Sequence, residues 1–309
     1  MEALKVICVI VTYNRLELLK ESVAAVMQQT YPLHRVVIVD NHSTDGTDNY
    51  LAGLSQNPLF HIVTLEKNTG GAGGFSKGIE TAARQQADWI WVMDDDTIPK
   101  PDSLERLMAY TTFKDVGYVN SKVVWTDGSL HEMNLPRLAK QQAAKAEILK
   151  GAAEEVVAHA SLIDTTSFVS LLVRGDIPYR LGLPFKEFFI WCDDAEYTMR
   201  IIQNGYYGIW AADSVVVHKT PTNYSTSLNT VPASAAWKVY YGVRNESLLR
   251  RKRKGWLLFV LAQLNCFRTH AHRIRKRHLP KEEERVLLKA NFRGHIDGFT
   301  FNPRVDFLK

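Results

Sequence analysis

The sequence predicts an α/β fold with a mainly parallel central sheet flanked by helices, followed by a basic helical C-terminal region. Three observations predict it. Over residues 1–125, apolar β-branched runs alternate with longer amphipathic stretches, the pattern of successive βαβ units. Polar and glycine-rich clusters fall where those runs end, which is where open α/β sheets bind ligands. From Ala235 onward the composition turns helical and strongly basic. With 309 residues, 46% hydrophobic and 23% charged, the chain is neither disordered nor fibrous nor membrane-spanning in composition. It divides into a principal α/β domain over residues 1–234 and the basic helical region over 235–309.

Taken in order, residues 6–11 read as a strand, 15–29 as a helix ended by Tyr31-Pro32, and 35–40 as the second strand. The Asp45-Gly46 turn leads to a short helix at 47–54 and a third strand at 60–65. A helix at 74–85 follows a glycine cluster, and the fourth strand, 89–93, ends in acids. Residues 103–110 read as helix and 117–125 as strand, whereas 138–158 are polar and rich in Ala, Gln and Lys, as in a surface helix or mobile insertion. Strand character returns at 167–174, helical spacing at 193–204 before Gly205, and a last strand at 209–217. Cys8, Cys192 and Cys266 are far apart and in no CxxC spacing, which argues against a disulfide framework or zinc site and suits a reducing cytosol. Residues 1–5 run straight into the first strand, so no secretory leader is expected.

Asp94-Asp95-Asp96 sets three carboxylates directly after a buried-type strand, where their repulsion calls for compensation. A divalent cation with hard oxygen ligands, magnesium or manganese, supplies it and can clamp a diphosphate; a solvated acidic turn is the plainer alternative. Gly70, Gly71, Gly73 and Gly74 let the backbone approach an anion at a helix start, although the segment lacks the ending of a P-loop. Asp40 ends the second strand, where a carboxylate can bind a base imide or ribose hydroxyls, while Ser43 or Asp45 suffices as a helix cap. Asp193, Asp194 and Glu196 crowd a helix start beside Trp191; the helix dipole accounts for one or two acids there, and a general base for an acceptor hydroxyl accounts for another. His218 closes an apolar run, a place where a lone histidine is more often structural than a ligand.

Together these segments resemble the family 2 glycosyltransferases of GT-A fold, nucleotide-diphospho-sugar transferases, and in particular the branch of bacterial galactofuranosyltransferases and rhamnosyltransferases. The resemblance spans residues 5–250. It is carried by Val11-Thr12-Tyr13-Asn14-Arg15, Val39-Asp40-Asn41, the glycines after Asn68, the acid triplet, Trp191-Cys192-Asp193-Asp194-Ala195-Glu196-Tyr197 and His218, in the family's order. It implies that residues 1–234 form a GT-A catalytic domain and that the enzyme is inverting and metal-dependent. It further implies that Asp94, Asp96 and His218 bind Mn2+ or Mg2+, and that Asp194 is the general base. Thr12, Asn14, Arg15, Asp40, Asn68 and Asp95 would hold the nucleotide. Gly70, Gly71, Gly73, Gly74, Trp191, Asp193, Glu196 and Arg244 would serve the donor sugar or acceptor. The implied donor is a UDP-sugar, foremost UDP-galactofuranose and next dTDP-rhamnose. Cys192 before Asp193 is not needed by the chemistry, and Lys219-Thr220-Pro221 after His218 suggests a mobile loop that bears on acceptor specificity.

The net charge of +5 is local: ten Lys and Arg lie between Ser247 and Lys281 with no acid, and without them 28 basic residues of the 38 would face 33 acidic ones. Between the basic runs, residues 255–267 are mostly apolar but too few to span a bilayer, which needs about 20. They suit a helix lying in an anionic membrane interface, a core helix or an oligomer contact. On the first reading the enzyme sits on the cytoplasmic face of the inner membrane and its acceptor is a lipid-linked glycan. A nucleic-acid-binding protein would leave the acids and glycines idle. A nucleotidyltransferase would share the metal but release pyrophosphate, and a glycan-binding module would not need two carboxylate clusters.

Overall fold

The structure, a computed structural model, describes residues 4–223, 230–253 and 255–309. The first part of the chain runs β1 (Val6–Thr12), α1 (Leu16–Met27), β2 (Arg35–Asp40), α2 (Thr47–Leu54), β3 (Phe60–Thr64), α3 (Gly70–Arg84) and β4 (Trp89–Asp94). It continues through β5 (Thr97–Pro99), α4 (Ser103–Met108), β6 (Val116–Val124), β7 (Arg137–Leu138), α5 (Lys145–Ile148), α6 (Glu154–His159) and β8 (Ala160–Thr165). Then come β9 (Leu171–Arg174), α7 (Ile177–Leu181), α8 (Asp193–Gln203) and β10 (Tyr207–His218), followed by α9 (Ala236–Arg253), α10 (Trp256–Arg275) and α11 (Lys281–Thr300).

The sheet order is β3-β2-β1-β4-β9-β6-β10-β8-β7, with β5 paired to β10. Pairing is parallel across β3, β2, β1 and β4, as expected of βαβ units. Beyond β4 the sheet is mixed, because β9 runs antiparallel to both β4 and β6. Every residue of β1 is buried, so its unbroken apolar run reflects cover on both faces. One core cluster contains Cys8, Ile10, Ile38 and Trp91, the other Val9, Val37, Ile79 and Val92.

Two expectations need correction. The glycine cluster is not a loop before a helix: α3 begins at Gly70, and low glycine helix propensity hides its first turn. A Cβ at Gly74 would stand 2.5 Å from Val11 Cγ1, so that glycine lets the helix lie on β1. Residues 138–158 are neither one surface helix nor detached from the core. They form part of β7 and the short helices α5 and α6, and Leu149, only 1% exposed, joins the core cluster of β1, β2 and β4.

Contacts divide the described residues into two units, one drawn from Met1–Lys186, Asp194–Ser225 and Val305–Lys309, the other from Glu187–Asp193 and Thr226–Arg304. The second unit is built on α9, α10 and α11, with Val239, Val243, Ile274 and Leu287 in its core. Gly294 permits close packing there, since a Cβ would meet Tyr240 O at 2.7 Å. Of the ten basic residues, Lys254 lies outside the described residues.

Candidate active site

Sheet topology brings distant residues to the end of β4. Asp94 is the last residue of that strand and pairs in register with Val11 of β1, while Asp95 and Asp96 form the turn into β5. Strand β5 lies antiparallel to β10, with Thr97 opposite His218. That pairing places His218 Nε2 3.0 Å from Asp96 Oδ1, and Lys219 N donates to Asp96 O at 2.9 Å. Asp94, Asp96 and His218 thereby form a cluster whose ligand atoms all lie within 4.8 Å of one another.

The acids are held by the first strand and the loop after it. Thr12 Oγ1 donates to Asp95 Oδ2 at 2.8 Å, and Arg15 Nη1 donates to Asp96 Oδ2 at 2.6 Å and to Asp95 Oδ1 at 3.4 Å. Burial pushes the Asp94 carboxyl up to about 7, with Asp96 adding to the shift, and pushes Asp95 up to about 6. Burial acts on Asp96 in the same sense, but His218 and Arg15 outweigh it and hold that carboxyl below its usual range. The His218 ring is raised, since Asp96 and Asp94 overcome the opposing effect of burial.

These residues fit a divalent cation. Asp96 Oδ1 is buried and receives no well-aligned hydrogen bond, although His218 stands beside it. Two carboxylates and one imidazole form a mixed oxygen–nitrogen set, in which the two hard carboxylates suit manganese or magnesium. Arg15 and His218 supply positive charge to the acids without an ion.

The other side chains assigned from sequence fall into three groups. Asp40, 2% exposed, accepts Ser43 N at 2.9 Å, and Asn68 Oδ1 accepts Gly70 N at 2.8 Å, so both shape the rim at the ends of β2 and β3. Asn14, at φ 52°, ties the same rim by accepting Thr44 N at 2.6 Å. Gly70 requires its φ of 73°, and Gly73 is closed off by Thr69, whereas a Cβ at Gly71 would meet only the Phe75 ring, at 4.0 Å. Asn41, whose role sequence reasoning left unassigned, links both segments: Nδ2 donates to Gly70 O at 2.8 Å and Oδ1 accepts Thr69 N at 2.8 Å.

Asp194 sits in the first turn of α8, where burial pushes its carboxyl up to about 6 although backbone N–H groups, Ala195 N at 2.6 Å among them, pull it down. Glu196 has an internal partner: its Oε2 accepts Arg200 Nη2 at 2.8 Å, and that guanidinium also donates to Leu181 O and Leu183 O. A buried ion pair of this kind explains Glu196 structurally.

Trp191, Asp193 and Arg244 belong to the second unit. Phe189, Trp191 and Cys192 all have left-handed backbone, at φ 64°, 64° and 69°. Strain of that kind persists only where the surroundings hold it, and here Asn245 Nδ2 donates to Phe188 O, Ile190 O and Trp191 O. Arg244 is an interior pin of this unit, donating to Glu187 O at 2.6 Å and lying 3.8 Å from the Phe301 ring centroid.

The end of a parallel half-sheet thus carries an acid–histidine cluster, and the same unit holds a further buried carboxyl at Asp194. Residues 7–169 match the family described as Glycosyl transferase family 2, and the chain belongs to it. Over 211 residues it is 28% identical to galactofuranosyltransferase GlfT1 of Mycolicibacterium smegmatis, covering 65% of this chain and 67% of that one. Its fold is similar to that of GalNAc-T7, solved with UDP, GalNAc and Mn2+ (TM-score 0.62, 16% identity), covering 94% of this chain but 55% of that one. It is also similar to the mannosyltransferase PcManGT of Pyrobaculum calidifontis, solved with GDP-Man and Mn2+ (TM-score 0.57, 18% identity), covering 96% of this chain and 87% of that one.

Proposed function

We propose that the enzyme transfers galactofuranose from UDP-galactofuranose to a hydroxyl of a growing, lipid-linked surface glycan, inverting the anomeric centre. The observation that carries the donor is the 28% identity to a galactofuranosyltransferase over 211 residues. Asp94, Asp96 and His218 would hold a divalent cation, whose chemistry when bound is to neutralise the charge of a departing diphosphate. Thr12, Asn14, Arg15, Asp40, Asn68 and Asp95 line the nucleotide side of this reading, with the backbone at Gly70 and Gly71 facing the donor. Asp194 takes the proton of the attacking hydroxyl. Residues 1–234 serve as the catalytic domain and 235–309 as the region that meets acceptor and membrane.

The test is release of nucleotide from a panel of UDP- and dTDP-sugars, with and without Mn2+. Manganese-dependent UDP release from UDP-galactofuranose is the expected result. Release from dTDP-rhamnose alone would keep the class and replace the donor, pyrophosphate as product would indicate nucleotidyl transfer, and a retained anomeric configuration would remove the single-displacement mechanism.

The membrane part of the reading rests on α10. Leu257, Leu261 and Leu264 are 72%, 56% and 55% exposed, and helical spacing aligns them on the stripe that continues to Arg268 and Arg275. An apolar half followed by a cationic half suits a helix lying at an anionic bilayer surface. Among the described residues no helix is long and apolar enough to cross a membrane. Co-sedimentation with phosphatidylglycerol-containing vesicles, weakened by salt and lost on Leu261→Glu, is expected. Equal recovery of parent and variant from anionic and neutral vesicles would overturn this reading.

A further inference from the structure

We infer that Asn134 is a positioning residue for His218, holding its ring so that Nε2 faces the acid cluster; this rests on the reading of Asp94, Asp96 and His218 as a cation site. His218 Nδ1 lies 2.8 Å from Asn134 Oδ1. A ring that carries both hydrogens, or that ligates a cation through Nε2, has a hydrogen on Nδ1. As an imidazolium both nitrogens carry hydrogens, and as a neutral ligand through Nε2 the single hydrogen sits on Nδ1. Both states therefore require an acceptor at Nδ1, and Asn134 Oδ1 is that acceptor. At its other end the amide Nδ2 donates to Ser167 Oγ at 2.9 Å, a contact compatible with this orientation.

The surroundings leave Asn134 little freedom. It is 4% exposed and ends a single 3-10 turn, Glu132–Asn134, on the segment after β6. That turn is latched to the chain beyond His218, since Glu132 N donates to Asn223 Oδ1 at 3.0 Å and Asn223 Nδ2 donates to Leu130 O at 3.1 Å. His131, fully buried, lies against the His218 ring with centroids 4.7 Å apart and planes 34° apart. Its Nε2 is 2.7 Å from Thr220 Oγ1, whose hydroxyl donates to Thr222 O at 2.9 Å, so His131 is the donor of that pair. Hydrogen bonds to the far nitrogen of a ligating histidine set its tautomer and its basicity, and their loss weakens metal affinity by about 10- to 100-fold.

The experiment is Mn2+ binding to the otherwise unliganded protein, followed by the electron paramagnetic resonance of free Mn2+, with thermal unfolding recorded for every variant. Asn134→Ala is expected to weaken Mn2+ binding about tenfold or more, and Asn134→Asp, which keeps an acceptor oxygen, to restore it. In a double-mutant cycle the loss disappears once His218 is alanine, because Asn134 acts only through that ring. Wild-type affinity in Asn134→Ala, or an additional loss from it in the His218→Ala background, would overturn the assignment. If Asn134→Ala does not fold, the same comparison is made with Asn134→Leu, which preserves the side-chain volume. A parent protein that binds no Mn2+ would remove the cation reading itself and this inference with it, whereas a parent that binds and a His218→Ala variant that binds weakly leave only Asn134 in question.

Discussion

Asp194→Asn is expected to lower turnover about 10^3-fold while leaving nucleotide binding and the fold in place, as loss of a general base does. The side chain keeps its size and its oxygen for Ala195 N, so the first turn of α8 remains intact. What it loses is the proton acceptor. Burial pushes this carboxyl up to about 6, and Asp95 and Asp94 up to about 6 and 7, so the parent enzyme's kcat/KM should climb with pH through that range and the variant should lose the part of the climb that Asp194 contributes. The stability effect has the opposite sign. An acid whose folded pKa is raised binds more protons folded than unfolded, so its contribution to stability falls as pH rises from its ordinary value through 6. Asp194→Asn should therefore melt higher than the parent at pH 7, with that advantage disappearing toward pH 4. A variant retaining turnover within tenfold of the parent would exclude Asp194 as base. Glu196→Gln separates the neighbouring acid, for it disrupts the buried pair with Arg200 and should lower stability first.

The parts of the fold written in local patterns were legible, and the parts defined by pairing were not. β1 to β4 are apolar runs ending in polar residues, and the acids at the end of β4 announce a site without any tertiary information. The start of α3 was hidden because four glycines read as loop, whereas close packing against Val11 explains one of them. β5 spans three residues and ends in proline, too short and too irregular for any periodic signal, yet its pairing with β10 is what carries His218 to Asp96. Arg15 read as a nucleoside contact from its motif, while in the structure its guanidinium sits on Asp95 and Asp96. Asn134 and His131 carry no signal in the sequence at all, since their meaning comes from a residue more than eighty positions away. Glu196 read as a contact to donor sugar or acceptor by its neighbours, and only the position of Arg200 one turn on shows its ion pair.

Asp96→Asn is expected to abolish manganese-dependent transfer, with a loss of about 10^3-fold, because it removes charge at the point where the cluster converges. Asp96 is the carboxylate that Arg15 and His218 both address, and the one whose charge those neighbours maintain despite burial. A cation entering the site replaces their role as counter-charge, so the neutral amide weakens the ligand set and leaves Arg15 and His218 with one anionic partner fewer. Binding to the folded state alone also stabilises it, by about 2.7 kcal/mol when the ion is at one hundred times its Kd. Added Mn2+ should thus raise the melting temperature of the parent and leave that of Asp96→Asn unmoved. The shift should shrink as pH falls through about 7, where the buried Asp94 carboxyl takes up a proton and competes with the ion. The pH dependence separates a cation held by these side chains from one brought in on the nucleotide, whose phosphates remain charged over that range. An equal Mn2+-induced shift in parent and Asp96→Asn would place the ion elsewhere.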